Sequence, residues 1–403
     1  MNILYISYDG MTDPLGQSQV LPYLTGLVKR GYKFWILSCE KEKAFAENAS
    51  QIQAQVDIAG ITWVPLRYHA LPPVLSTLID VKALCKKSKE IIRDHNIQIV
   101  HCRSYIAALA GLSAKKKLGT KFVFDMRGFW ADERVEGAIW NISNPVYRMV
   151  YNYFKQKEIE YFSLADYTIS LTENGRDEIW RWGTITNNPI AIKVIPCCAD
   201  LDLFSPRAKN KELLEAFDIK DSDFVISYLG SVGTWYMLGE MLQFFRHLLA
   251  YKPNSYFLFI TGDDPDTIKG KTQELGIDIS RIIIRKANRQ DVPHYLSVCD
   301  LSVFFIKQSF SKKASSPTKM GEIMGMGIPI ICNDNVGDVG TIMAHVNKHA
   351  VLSDFSEKSF RNALDFLDQI LGEDRTKIRD TAKKYYSLQT GISRYQEVYD
   401  ALL

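Results

Sequence analysis

The chain has no long hydrophobic run. Its longest apolar segments, such as Leu301-Ser302-Val303-Phe304-Phe305-Ile306, are strand-sized, far short of the ~18 residues that suggest a membrane span. It also lacks a CxxC pair and any His/Cys cluster. Seven cysteines stand scattered at 39, 85, 102, 197, 198, 299 and 332, so reduced, mostly buried thiols are expected rather than disulfides or zinc. Strong charge of one sign is missing: the formal net charge is +3, too small to imply a nucleic-acid partner. No G-x-G-x-x-G follows either first strand, which argues against a dinucleotide-dependent dehydrogenase. Internal repeats and low-complexity tracts are absent as well. Met1-Asn2-Ile3-Leu4-Tyr5-Ile6-Ser7 has no basic stretch and no cleavage site. It reads as a first strand rather than a signal peptide, and a cytoplasmic location is expected.

What remains is the composition of a soluble globular protein, with 46% hydrophobic and 24% charged residues. A chain of 403 residues suits two domains of about 200 residues, each able to bury its own core. Strand-like runs alternate with helical patterns throughout. The strand candidates of the first half are 2–7, 33–38, 61–65, 98–101, 121–125, 167–171 and 192–195. Those of the second half are 224–229, 256–261, 281–285, 301–306, 328–332 and 349–352. Helical patterns include 17–30, 82–95, 145–164, 173–182, 238–251, 290–297, 317–326, 356–371 and 374–385. Runs such as Phe224-Val225-Ile226-Ser227-Tyr228-Leu229 are apolar nearly throughout. Strands buried on both faces read this way, so parallel α/β sheets are expected. Pro196 and Pro206 bracket a turn-rich stretch before a new strand series, placing the boundary near 196–222. Ligands of such folds bind at the carboxyl ends of the strands, and two successive units are expected to form a cleft.

The charge is uneven. Residues 82–121 carry ten basic residues against only Glu90 and Asp94. Lys82, Lys86, Lys89 and Arg93 recur at i, i+4, i+7 and i+11, one stripe of a helix. Val81, Cys85 and Ile92, with Leu84 and Ile91 beside them, suit the packed face. The apolar loop Ala70-Leu71-Pro72-Pro73-Val74-Leu75 precedes the stripe, and Lys115, Lys116 and Lys117 would extend the positive surface. An anionic membrane surface is the expected partner, with a solvated helix face as the alternative.

Several stretches could carry chemistry. Asp9-Gly10-Met11-Thr12-Asp13-Pro14-Leu15-Gly16-Gln17-Ser18-Gln19 joins the first strand to a helix. Its glycines, Gly16 included, could let amides approach an anion or sugar, although an ordinary turn has the same composition. Gly230-Ser231-Val232-Gly233-Thr234 ends the first strand of the second half. Small residues there allow close approach of a diphosphate, with Ser231 and Thr234 as extra hydrogen-bond donors. In Ser316-Pro317-Thr318-Lys319-Met320-Gly321-Glu322, Ser316 and Pro317 read as an N-cap and first turn. Lys319 and Glu322, three apart, share a face. The lysine could neutralise a diphosphate and the carboxylate accept ribose hydroxyls; an exposed ion pair is the alternative. Gly321, Gly325 and Gly327 weaken a helix by roughly 1 kcal/mol each, which implies that something approaches closely. In the first half, His101-Cys102-Arg103 and Asp125-Met126-Arg127 end strands and would face the cleft, although a lone histidine such as His101 is more often structural. Asp132, Glu133 and Arg134 beside Trp130 suit a polar pocket or a salt-bridged loop.

These pieces resemble the family 4 retaining glycosyltransferases of the GT-B fold, many of which build bacterial surface polysaccharides. The resemblance runs through DPLGQSQVLPYL, Ile195-Pro196-Cys197-Cys198-Ala199-Asp200-Leu201-Asp202-Leu203-Phe204, SPTKMGEIMGMGIPII and the terminal AKKYYSLQTGISRYQEVYDALL. It implies two Rossmann-like domains: 1–200 for the acceptor, 207–385 for the nucleotide sugar, and a last helix at 386–403 crossing back. It implies that Glu322 holds the ribose. The chain departs from the pattern at Ala314, where many members carry a second glutamate. It departs also in GSVGTWY, which lacks the usual Arg and Lys, and at His101-Cys102-Arg103, where His-x-His is frequent.

The expected activity is retaining transfer from a nucleoside diphosphate sugar to a glycan or lipid-linked acceptor. No paired carboxylates stand out as nucleophile and acid, so departure of the leaving group would be assisted by positive charge and helix amides. Gly16, Gly230, Ser231, Gly233, Thr234, Lys319 and Glu322 are the candidate donor-binding residues. Asp125, Arg127, His101 and Arg103 are the candidate catalytic residues, with Asp125 positioning or deprotonating the acceptor hydroxyl. No cofactor and no divalent metal are expected, because no ligand spacing is visible. Peripheral attachment to the inner face of the cytoplasmic membrane is a further expectation. A GT-B sugar-nucleotide epimerase, which needs no acceptor, and a degenerate binding subunit are the alternatives.

Overall fold

The computed structural model describes residues 1–186 and 190–402, so the last residue of the expected terminal helix, Leu403, lies outside them. The chain divides into two compact units. The first holds Met1–Pro196, Lys313–Ser315 and the segment from Leu388; the second holds Cys197–Lys312 and Ser316–Ser387.

Seven parallel strands form the first unit: β1 (Asn2–Ser7), β2 (Lys33–Glu40), β3 (Thr62–Arg67), β4 (Ile99–Arg103), β5 (Lys121–Asp125), β6 (Tyr167–Ser170) and β7 (Ile192–Val194). Their order is β3-β2-β1-β4-β5-β6-β7. The second unit has six: β8 (Phe224–Leu229), β9 (Ser255–Ile260), β10 (Ile282–Arg285), β11 (Leu301–Phe304), β12 (Ile330–Asn333) and β13 (Val351–Leu352), in the order β10-β9-β8-β11-β12-β13. Both are doubly wound, Rossmann-like sheets. Strand order reverses beside β1 and β8, and the loops at such switch points form ligand sites.

Five helices matter below: α1 (Leu21–Val28), α2 (Leu75–Asp94), α3 (Thr318–Gly325), α4 (Arg375–Tyr386) and α5 (Leu388–Asp400). The pattern at 17–30 is not one helix. It breaks at Val20, between Pro14–Gln19 and α1, because Pro22 has no N–H and its ring crowds the preceding turn. The pattern at 356–371 likewise breaks at Phe366. β11 stops two residues early, where Ile306 N–H donates to Asn333 Oδ1 at 2.8 Å and Ile306 bridges Tyr236.

Helix α5 belongs to the first unit and packs on α1. A Cβ on Gly26 would lie 2.2 Å from Ile392 Cδ1, so only glycine permits this approach. Ile392, Tyr395, Val398 and Tyr399 are buried. Arg30 donates to Gln396 and Ser393, anchoring the helix at its exposed side.

Candidate active site

In the second unit, β8 runs into Gly230, whose φ is +112°, a conformation open mainly to glycine. A Cβ there would sit 3.1 Å from Lys319 Nζ, so the glycine lets the lysine reach the loop. Lys319 and Glu322 are each 6% exposed, which removes the surface ion pair as an explanation. Lys319 Nζ donates to Tyr228 Oη at 2.8 Å and lies 4.2 Å and 3.6 Å from the ring centroids of Tyr228 and Tyr236. Two π faces and a phenol oxygen, rather than a carboxylate, meet this amino group. Burial holds its pKa well below the ordinary lysine value, against the weaker opposing pull of Glu322 and Asp263. Tyr228 in turn donates to the carbonyl of Ser231, tying the lysine to the glycine loop.

Glu322 Oε1 accepts from Arg289 Nη1 at 2.6 Å. Asp263 Oδ2 accepts from Ser231 Oγ at 2.8 Å and from Val232 N–H at 2.6 Å. Ser231 therefore braces the loop, whose remaining candidates, Gly233 and Thr234, follow directly; Thr234 has a φ of +38°.

Two local expectations need correction. Ser316 does not cap α3. Pro317 occupies the cap position without a side-chain bond, and Ser316 Oγ instead accepts from Cys197 N–H at 3.1 Å. The glycines of α3 admit the protein's own chain: a Cβ on Gly321 would lie 2.8 Å from Tyr386 Cβ, and one on Gly325 2.8 Å from Leu201 Cδ2.

The first unit gathers His101, Arg103, Asp125 and Arg127. Arg103 ends β4, with His101 two residues before it, and Asp125 ends β5, with Arg127 just beyond, so the group gathers toward the carboxyl edge of the sheet. Asp125 is fully buried. Its Oδ2 accepts from Tyr395 Oη at 3.0 Å and lies 3.5 Å from His101 Nε2 and 3.8 Å from Arg127 Nη1. Burial raises the Asp125 pKa, but Arg127, His101 and Arg103 together outweigh it and hold the carboxyl below its usual value. Burial lowers the His101 pKa. Arg103 Nε is 3.7 Å from Asp9 Oδ2, and Arg127 has a φ of +56°, a strained conformation of the kind that clusters at functional sites.

The rest of that charged stretch serves the scaffold. Asp132 accepts from Tyr151 and Lys155, each at 2.8 Å, and Arg134 stacks over Trp130 at 5.2 Å. Gly16 belongs to the first unit and the other six donor-side candidates to the second. A Cβ on it would lie 2.3 Å from the Gly10 carbonyl oxygen, which explains the glycine by local packing. Ala314 is fully buried, and a Cβ on Gly175 would lie 2.8 Å from its methyl group. A glutamate has no room there, so the departure at 314 has a packing reason.

Sequence reasoning missed Tyr228, Tyr236, Asp263 and Arg289 in the second unit and Tyr395 and Tyr399 in the first. Only Tyr228 left a local trace, a polar tip near the carboxyl end of an apolar strand. Among the described residues, no group of three or more His, Cys, Asp or Glu could hold a metal ion.

Two family models match the chain: Glycosyltransferase Family 4 at residues 18–203 and Glycosyl transferases group 1 at residues 209–385. No curated protein matches it. Among solved structures, sucrose-phosphate synthase (tll1590) from Thermosynechococcus elongatus is similar with a TM-score of 0.73 at 14% identity, covering 100% of this chain and 99% of that one. Anabaena Alr3699/HepE in complex with UDP and glucose gives 0.69 at 13%, covering 99% of each chain. The apo form of the lipopolysaccharide outer core galactosyltransferase WaaB gives 0.60 at 14%, covering 100% of each. Doubly wound parallel sheets in both units, these structural likenesses and two family models spanning nearly the whole chain together place the protein among the family 4 glycosyltransferases of the GT-B fold.

Proposed function

We propose that the protein transfers a sugar, with retention, from a nucleoside diphosphate sugar to a glycan or lipid-linked saccharide in surface polysaccharide synthesis. One observation carries this reading: a buried ammonium, Lys319, held against the glycine loop after β8 by two tyrosines. A cation kept out of water, with its pKa depressed, gains most when a diphosphate arrives. Glu322, oriented by Arg289, accepts the ribose hydroxyls. In the first unit Asp125 receives the acceptor hydroxyl, and Arg127 and Arg103 keep it ionised. Lys319 and the loop carry the leaving-group charge without a divalent metal.

Structures of the similar HepE contain UDP and UDP-glucose, so UDP-sugars are the first probes. Thermal shift against UDP-, GDP- and dTDP-sugars tests the reading. A matched nucleotide at 100 times its Kd stabilises by about 2.7 kcal/mol; no shift with any of them would remove it.

The acceptor side is proposed to lie at an anionic membrane surface. Among the described residues no helix is long and apolar enough to cross a membrane. On α2, Lys82, Lys86 and Arg93 are exposed and Lys89 is half-buried, while Leu84, Ile91 and Ile92 are buried. Leu71 and Leu75, just before the stripe, are exposed at 79% and 54%. Lys115 and Lys116 do not extend the surface, because they pair with Asp166 and Glu160. Basic residues contribute about 1 kcal/mol each near anionic lipid. Vesicle binding should rise with anionic lipid, fall with salt, and weaken when Lys82, Lys86, Lys89 and Arg93 become glutamine. Equal partitioning of wild type and variant would exclude this stripe.

A further inference from the structure

We propose that Tyr395 and Tyr399, on the terminal helix α5, are positioning residues for the Asp125–His101 pair. Tyr395 fixes one carboxylate oxygen so that the other is left for the acceptor, and Tyr399, by donating to Nδ1, reinforces the imidazole tautomer that Asp125 favours. The inference rests on the reading of Asp125 as the acceptor-side group.

The contacts of Asp125 are one-sided. Tyr395 Oη at 3.0 Å, His101 Nε2 at 3.5 Å and Arg127 Nη1 at 3.8 Å all address Oδ2. Oδ1 is buried and accepts no hydrogen bond from the protein. With all three contacts on Oδ2, Oδ1 is the oxygen whose hydrogen-bonding capacity is unused. Tyr395 has a single O–H hydrogen, and Asp125, an acceptor when ionised, receives it.

His101 Nδ1 lies 2.7 Å from Tyr399 Oη. The ring is buried and its proton affinity lowered, so it carries one hydrogen. If that hydrogen were on Nδ1, the bare lone pair of Nε2 would face the Asp125 carboxylate at 3.5 Å. With the hydrogen on Nε2, the carboxylate lies 3.5 Å away on the side of the positive N–H, too far for a formed hydrogen bond but of favourable sign, and Nδ1 accepts from Tyr399. Electrostatics favours the second arrangement. The groups around the imidazole act consistently. Tyr5 of β1 lies tilted against it, with ring centroids 4.6 Å apart. Arg103 of β4 and Arg127 after β5 disfavour a second proton, and only Asp125 favours one. Tyr395 and Tyr399 complete the shell from α5, with ring centroids 5.6 Å and 5.8 Å from His101.

The helix does not depend on these two hydroxyls for docking. Ile392 packs on Gly26, and Arg30 holds Gln396 and Ser393. Tyrosine-to-phenylalanine changes therefore remove the hydroxyls while the helix stays in place.

The test uses full-length protein with ¹⁵N-labelled histidine, the His101 resonances being assigned by His101→Gln. Wild type should show His101 as the Nε2–H tautomer, with no protonation near the ordinary histidine value of about 6.5. Tyr399→Phe should give a tautomer mixture. An Nδ1–H ring or an imidazolium in wild type, or an unchanged tautomer in Tyr399→Phe, overturns the role of Tyr399. A second arm follows UDP release from UDP-glucose. Tyr395→Phe should slow turnover about 10-fold, less than the roughly 10²–10⁴-fold of a group that moves the proton itself. It should also raise the acid limb of the pH profile, because the carboxylate loses a hydrogen bond, and leave UDP affinity unchanged. Turnover and pH profile equal to wild type overturn the role of Tyr395. If wild type releases no UDP, or Asp125→Asn keeps full turnover, the functional reading of Asp125 fails, and the tautomer arm still decides the placement of Tyr399.

Discussion

Lys319 in the second unit and Asp125 in the first are both buried charges, but their surroundings differ. The lysine rests on Tyr228 and Tyr236, which compensate a cation only in part. The aspartate has Arg127, His101 and Tyr395 within 3.8 Å of one oxygen. One charge is left under-compensated and the other is compensated in advance. An under-compensated cation suits a group that must attract an anionic substrate. A pre-compensated carboxylate suits a group whose orientation must already be set when a neutral hydroxyl arrives. The pKa directions agree: Lys319 is pushed away from its charged form and Asp125 is held in it.

The largest effect that sharpens this contrast is on nucleotide affinity. Glu322→Ala should weaken binding by about 1.5–3 kcal/mol, the scale of hydrogen bonds to a charged group. Calorimetry on the folded variant measures it, and unchanged affinity would break the assignment of the second unit as the donor side. Arg289 remains one-third exposed, so the variant should fold.

A smaller effect, of opposite sign for stability, is expected at Lys319. Lys319→Met should raise the stability of the ligand-free protein by about 1 kcal/mol, because a poorly compensated buried cation is removed; for a unit of this size that is ~2–4 °C. The native pKa is lowered, so between it and about 10.4 the unfolded chain binds more protons, and wild-type stability rises with pH in that window. The advantage of the methionine variant should shrink accordingly on thermal melts at rising pH. A melting point that falls in Lys319→Met would mean that the aromatic seat fully compensates the charge.

The smallest effect belongs to the first unit. His101 is held neutral, so the unfolded chain takes up its proton first as pH falls below about 6.5. That contribution is complete above this value and is lost as pH falls through it toward the native pKa. His101→Gln should flatten this part of the stability curve, measured by chemical denaturation at stepped pH. An unchanged slope would show that His101 titrates natively as it does when unfolded.

The same contrast explains what the sequence disclosed. β1, β5 and β8 have the boundaries expected from their apolar runs, 2–7, 121–125 and 224–229. The helix expected at 145–164 is found at Pro145–Leu164, with the Asn144 side chain accepting from Val146 N–H at its start. Lys319, Glu322 and Gly230 stood out because helix spacing and glycine chemistry are local. Their partners did not: Arg289 is 33 residues from Glu322 and Tyr228 is 91 from Lys319. The first-unit cluster is more remote still, with Tyr395 270 residues from Asp125 and Tyr399 298 from His101. No periodicity links such positions; only the folded sheet and the docking of α5 do. Ser316 shows the converse error, a residue with the right chemistry for a cap that is drawn to the backbone of Cys197 instead.

The central claim, that Lys319 is kept ready to charge against a diphosphate, is tested most directly by calorimetry in buffers of different ionisation heat. The nucleoside diphosphate giving the largest thermal shift is titrated at mildly alkaline pH, below the ~10.4 of free lysine, into wild type and Lys319→Met. The account predicts a buffer-dependent heat in wild type that reports proton uptake on binding. It also predicts at least ~10-fold weaker, buffer-independent binding in the variant, the scale of one charge-assisted contact. Equal affinity in the two proteins, or a wild-type heat that does not change with buffer, would contradict it.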